Sequence, residues 1–427
     1  MNSDEAFVYG YGAGKRAGGG SGGASGGSQN FALEGKDLST VFEDADALQA
    51  ALALEDYSKI HLGDYWPLTL NGTFRDYGNM TAPAGIKYYS DTALTTEVGT
   101  LDADTVVTGI DNDNTVPGGH KAYVTIKVSN VNYYVAWGDC LPYQERTLAN
   151  AVMKFEVVAV NQYWRYGDSG SDNFHNGKPH LVLWPRDGLP TTLKMRKANE
   201  IWEDTTVDTF TGDGTTAEFT LSGTAGTIGY VFVAGTKKTY NTDYTFGSNK
   251  VTFKSGKIPA NGAEIKVEWM PAVTPWTGSA LYKTFNDPDY GIIKLIQTAD
   301  AKLYSHIYKG PNGKGMRYYG EKRNKTGQQD GGWTDRGLLF LPTEDEIWGR
   351  LCYSTGAPAA VNQLQWPLFA GGRRHFAKGA GNEASRNYVW CASSNTTTNF
   401  TYVANSGNPS NSSAYHAIVA APGFLLS

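Results

Sequence analysis

The side chains best suited to chemistry lie between Tyr388 and Ser427, where Asn, Ser, Thr and Tyr crowd together between two apolar strips. Uncharged hydroxyl and amide groups donate and accept hydrogen bonds, so the chemistry on offer is recognition rather than bond cleavage. A single contact of this kind contributes only about 0.5–1.5 kcal/mol net. Affinity then has to come from aromatic anchors or from repetition. Tyr388, Tyr402, Tyr415 and His416 are the candidate anchors, because a tyrosine ring offers rigid amphipathic area at low entropic cost. Several copies on one particle would add roughly 10²–10⁴ through avidity.

Such a polar run cannot offset the cost of ordering its own chain, so apolar neighbours have to hold it. Val389-Trp390-Cys391 precedes it, Phe400 and Val403 interrupt it, and Ile418-Val419 with Phe424-Leu425-Leu426 close it. Trp390 and Phe400 alternate with polar neighbours and are expected in the core. The expectation is a rigid scaffold that displays small, exchangeable side chains.

Other chemistries find little support. The sequence has no HExxH, no GxSxG and no phosphate-binding loop, and Gly310 to Gly315 (GPNGKG) lacks the Lys-Ser/Thr ending. Trp184-Pro185-Arg186-Asp187 and Thr343-Glu344-Asp345-Glu346 carry carboxylates that could make an acid/base pair. The second group opens a helix, where acids serve the helix dipole. The chain therefore reads as a non-enzyme. Cys140, Cys352 and Cys391 have neither metal-ligand nor disulfide spacing and read as thiols made in a reducing cytosol. His61, His120, His175 and His180 are scattered, so no metal site and no cofactor is expected. Calcium stays open at Asp111-Asn112-Asp113-Asn114, although a plain turn is the simpler reading. Arg373-Arg374-His375 beside Gly371-Gly372 is either a solvated loop or a contact for anionic glycan or phosphate.

A net charge of −5 gives no general attraction to nucleic acid or anionic membrane. No segment has the length of a membrane span, and the N-terminus lacks the apolar core of a secretion signal. Aromatics at 13% with 51 Gly favour short strands and tight turns over helix bundles.

Along the chain, residues 1–30 read as a flexible Gly-rich tether, with Met1 to Tyr9 either a docking peptide or a loose end. Asp44 to Asp56 has helical spacing. Lys59 to Gly78 reads as a strand pair turning at Asn71-Gly72. Met153 to Val160 and His180 to Pro185 read as strands, and Leu281 to Ala299 as partly helical. Thr343 with Glu346 forms a capping box that opens the helix EDEIWGRLCY. Residues 85–138 and 204–271 depart from this style, with short alternating strands in each. Turns are expected at Gly118-Gly119 in the first, and at Gly212-Asp213-Gly214, Ser248-Asn249 and Ala260-Asn261-Gly262 among about six strands in the second.

Three resemblances organise these pieces. The 85–138 segment, with YSD at Tyr89-Ser90-Asp91, GTL at Gly99-Thr100-Leu101 and a closing YYVAW, resembles the bacterial SH3-like barrel. The 204–271 segment, with FTGDGTTAEFTL and DYTF, resembles the Ig-like β-sandwich modules of phage tail and fibre proteins. The remainder, 31–84 with 139–203 and 272–427, carries GDYWPLTLNGTFRDYG, PHLVLWPRDGL, GLLFLPTEDEIWG and RNYVWCASSN, and ends in PGFLLS. It resembles the C-type-lectin-like domains of phage and bacterial variable proteins, which include targets of diversity-generating retroelements and tail tropism determinants. It departs from them at Val419-Ala420-Ala421-Pro422, where an Arg is usual.

The resemblance implies an α+β fold, a C-type-lectin-like domain interrupted by two small all-β modules. It also implies a variable recognition face from Ser393 to Ile418, on which Ser394, Asn395, Thr396, Thr397, Asn399, Ser406, Asn408, Ser410, Ser413, Tyr415, His416 and Ile418 belong to the residue repertoire that adenine randomisation yields. The expected function is a virion protein of the tail or fibre, synthesised in the host cytoplasm, that binds a host-surface protein or glycan. Its other partners would be virion proteins, met through the N-terminus or the β inserts. It would act as a homo-oligomer, trimers being common among tail adhesins. The alternatives are a structural decoration protein of the virion and a cell-wall or glycan-active enzyme.

Overall fold

A computed structural model describes residues 35–113, 115, 119–163, 178–197, 206–271, 276–310, 313–315, 317–319, 322–323, 329–330, 333–349, 352–353, 365–370, 388–394 and 399–427. The tether, Met1 to Tyr9, Gly118, His175 and Arg373-Arg374-His375 lie outside these residues. The fold is mostly β, 42% strand and 15% helix in several sheets, and belongs to a β-rich α+β class.

Four antiparallel strands form the first sheet, in the order Tyr65–Asp76, Gln144–Val160, Leu181–Pro185 and Phe424–Leu426. Leu181, Val182 and Leu183 pair with Leu426, Leu425 and Phe424, so the apolar PGFLLS segment is a buried strand. The helices Ala45–Ala53, Ala280–Asn286 and Ile292–Ala299 share this core. Asp44 caps the first of them by accepting from Ala47 N at 2.9 Å.

Asn71-Gly72 does not turn the chain, contrary to the sequence reading. Tyr65–Asp76 is one strand, and the register shifts between Leu70 and Gly72 opposite Asn150. Gly72 has φ +126°, and Asn71 and Asn150 bond each other, Asn150 N donating to Asn71 Oδ1 at 2.7 Å. A bulge takes the same left-handed residues as a tight turn, and the 17-residue partner strand keeps the chain running straight on.

The chain leaves this ribbon at Asp76 and returns at Gln144. Buried Asp76 accepts from Gly78 N at 2.9 Å, Asn79 Nδ2 at 2.7 Å and Arg146 at 3.1 Å, tying departure to return. Between them lies a six-stranded sheet with its own core of Met80, Leu101, Val107, Val124, Ile126 and Val135. Residues 206–271 form seven strands, where about six were expected, in a four-stranded and a three-stranded sheet that share the core of Phe219, Val231, Tyr244, Val251, Ile265 and Trp269. Ser248 and Asn249 both have positive φ, as a two-residue hairpin requires.

These two β units touch. Lys237 Nζ lies 2.7 Å from Asp113 Oδ2, and the Tyr230 hydroxyl donates to His120 O while lying 3.2 Å from Asp113. The His120 ring stacks on Trp137 at 3.7 Å. Asp113 is thus engaged inside the molecule. Burial opposes its charge, but Lys237 and Thr115 hold its carboxyl well below the usual range.

His180 is a structural histidine. Its Nε2 accepts from Tyr163 N at 3.1 Å and its Nδ1 lies 2.9 Å from Lys178 O, a pairing that only the neutral ring satisfies. Burial pushes its pKa from 6.5 down to about 4. The unfolded chain therefore takes up this proton near pH 6.5 and the folded chain only near 4. Stability is full above pH 6.5 and falls as the pH drops toward 4, by about 3 kcal/mol from this residue. Urea denaturation across this window should show that loss, and His180→Gln should flatten it.

Candidate functional site

The polar C-terminal segment is built on a five-stranded sheet, in the order Thr192–Leu193, Ile418–Val419, Val389–Ser394, Asn399–Val403 and Pro409–Ser413. Val389–Ser394 is buried at every position. On one face Trp390 packs against Phe400 and Tyr402, and its indole donates to Leu193 O at 3.0 Å. Beneath the other face lies the helix Glu344–Trp348, which opens on the Thr343–Glu346 capping box as the sequence predicts. It ends after five residues at Gly349, whose φ of +70° stops it well short of the expected Tyr353.

Glu344 fastens this helix to the sheet. Its carboxylate accepts from Cys352 N at 2.9 Å, Tyr353 N at 3.0 Å and Thr401 Oγ1 at 2.9 Å, while its own N–H donates to Ser393 Oγ at 3.0 Å. Trp348 reaches the turn between the last two strands, donating to Gly407 O at 3.1 Å. Burial pushes the Cys391 thiol well above its usual range.

Strand register decides which polar groups are presented. Side chains alternate between faces, and register partners share one. Trp390 pairs with Tyr402, Tyr402 with Ser410 and Phe400 with Ser412, so Tyr388, Tyr402, Ser410 and Ser412 border the buried Trp390 and Phe400 on one face. The rings of Tyr388 and Tyr402 meet edge to face at 5.3 Å. Ser412 Oγ bonds His416 Nδ1 at 2.7 Å, and the His416 ring lies 4.6 Å from Tyr415. Tyr388 is 45% exposed and Tyr415 38%. Pro409–Ser413 is the edge strand, half-buried throughout.

Three expected contact residues are corrected. Ser393, Ser394 and Ile418 are buried, and no ligand could touch them in this arrangement. Ser393 faces inward because Glu344 needs an acceptor, and Ile418 because its strand packs in the core. Asn399 and Ser413 pair on the face that carries Thr401, away from Tyr388 and Tyr402. Ser406 and Asn408 are exposed on the Gly407 turn. Asn395, Thr396 and Thr397 lie outside the described residues. Ser412 is an addition: alternation from Ser410, and its four-residue spacing to His416, were the signals that could have found it.

Two of the carboxylates considered for acid/base work, Glu344 and Glu346, are otherwise engaged. Glu346 is ion-paired with Arg336, and Glu344 is committed as above. Arg186, next to Asp187, bonds Glu156 at 2.6 Å. Among the described residues no three or more His, Cys, Asp or Glu converge as a metal site, and no helix is long and apolar enough to cross a membrane.

Geometry and burial define a β-rich α+β protein whose C-terminal sheet has a fully buried strand and an uncharged polar edge flanked by the exposed Tyr388 and Tyr415. Compared with known family models, curated proteins and solved structures, the chain matches none.

Proposed function

We propose that this chain is a phage virion protein of the tail or fibre whose C-terminal face binds a host-surface protein or glycan. The observation that carries the reading is the polar fringe of Tyr388, Tyr402, Ser410 and Ser412, with Ser412 bonded to the exposed His416 beside Tyr415, along the edge of a sheet in which Val389–Ser394 has no exposed residue. Side chains on such a scaffold can be exchanged at little cost to the fold, which suits a surface that must track a changing receptor. The C-type-lectin-like reading of the discontinuous part, and the SH3-like and Ig-like readings of the two β units, belong to the same proposal. The two units would act as spacers or accessory binding modules and the Gly-rich segment as a tether.

Particles carrying Tyr388→Ala, Tyr415→Ala and His416→Ala together should assemble normally and adsorb to their host at least about tenfold more slowly, since aromatic anchors dominate such interfaces. Unchanged adsorption with failed assembly would instead mark a decoration protein. A near-copy of the coding sequence for this segment, differing at adenines and lying beside a reverse transcriptase gene, would support diversification of the face.

A further inference from the structure

Arg75 lies near the end of the strand Tyr65–Asp76, and three distant chain segments meet around it. Its guanidinium carbon lies 3.4 Å from the ring centre of Tyr290 and 4.1 Å from that of Tyr143. Its backbone N–H donates to Tyr290 O at 2.8 Å, which fixes the ring beside the strand. Arg146, Arg186 and Arg336 each carry a carboxylate partner in Asp76, Glu156 and Glu346. Among the described residues Arg75 has none, and even Glu145, its cross-strand neighbour in register, is not ion-paired with it. Its Nε is buried without a hydrogen-bond partner, while the residue as a whole is only half-buried. The Tyr77 hydroxyl, which donates to Asp287 at 2.5 Å, stands beside the guanidinium.

Two rings thus hold this cation in a set orientation, partly stripped of water and without an acid. A planar guanidinium in that state offers two parallel donors to a planar anion. Tyr290, 46% exposed, supplies an apolar platform next to it. We propose that Arg75, Tyr143 and Tyr290 form a binding site for a carboxylate-bearing sugar. The terminal nitrogens of Arg75 grip the carboxylate, and the open part of the Tyr290 ring packs on the sugar. The site uses none of the C-terminal side chains, so it stands or falls apart from the receptor-binding face.

Calorimetry of the full chain with a glucuronic acid oligosaccharide tests it, with a neutral glucose oligosaccharide and inorganic phosphate as controls. The expected result is saturable binding of the acidic sugar alone. Arg75→Gln and Tyr290→Ala should each weaken it at least about tenfold, and Arg75→Lys should weaken it too, because an ammonium lacks the fork. Circular dichroism matching the parent shows that each variant is folded, and the exposed Tyr290 keeps the test decisive if Arg75→Gln is not. Absence of binding, equal binding of the neutral sugar or of phosphate, or binding untouched by folded variants would overturn the proposal.

Discussion

Arg336→Leu should cost about 3–5 kcal/mol of stability, the loss expected when one partner of a buried ion pair is removed. Arg336 and Glu346 are both buried, and the guanidinium donates to both carboxylate oxygens, to Glu346 Oε1 at 2.6 Å. The same group donates to Leu341 O at 2.9 Å and lies 3.2 Å from the Tyr163 hydroxyl, which itself bonds Glu346 and accepts from the Trp366 indole at 2.9 Å. Thr343 N adds a bond to Glu346 at 2.9 Å. The pair thus knits the Tyr163 segment to the helix beneath the C-terminal sheet. Leucine in place of Arg336 would strand the Glu346 charge among Trp and Phe side chains. The double variant Arg336→Leu, Glu346→Leu should recover much of the loss, because no lone charge is then buried. Denaturation midpoints of the three proteins measure the coupling; equal losses in single and double variants would show that the ion pair is not what matters.

Trp390→Ala should have an effect of similar size, about 3–5 kcal/mol, because a fully buried ring and its bond to Leu193 O are lost together. Tyr388→Ala, two residues away, should cost under about 1 kcal/mol, since its ring is nearly half exposed and meets mainly Tyr402. This contrast separates the residue that holds the sheet from the residue that the sheet displays. Comparable losses from both would mean that Tyr388 is part of the core and not an exchangeable contact.

Local signals in the sequence were legible where the structure depends on local chemistry. Asp44 opens its helix, Thr343 and Glu346 box theirs, and Ser248-Asn249 turns a hairpin. Trp390 and Phe400 are core because alternation marked them so. Where distant strands decide, the same reasoning failed. Asn71-Gly72 has the residues of a turn but sits in a bulge, and only its long partner strand distinguishes the two. Ser393 looks like surface, yet Glu344 turns it inward from forty-nine residues away. The Arg75 cluster and the Arg336–Glu346 pair have no sequence signature, since their partners meet only through the fold.

Hydrogen exchange along residues 399–413 addresses the central claim most directly, namely that the polar segment is a stiff, ordered strand pair. Amides of Asn399–Val403, flanked by a strand on each side, should exchange only through costly opening, far more slowly than the exposed Asn405–Ser406 turn. Uniformly fast exchange through the whole stretch would contradict the account, because a loose segment could not hold Tyr402, Ser410 and Ser412 on one face.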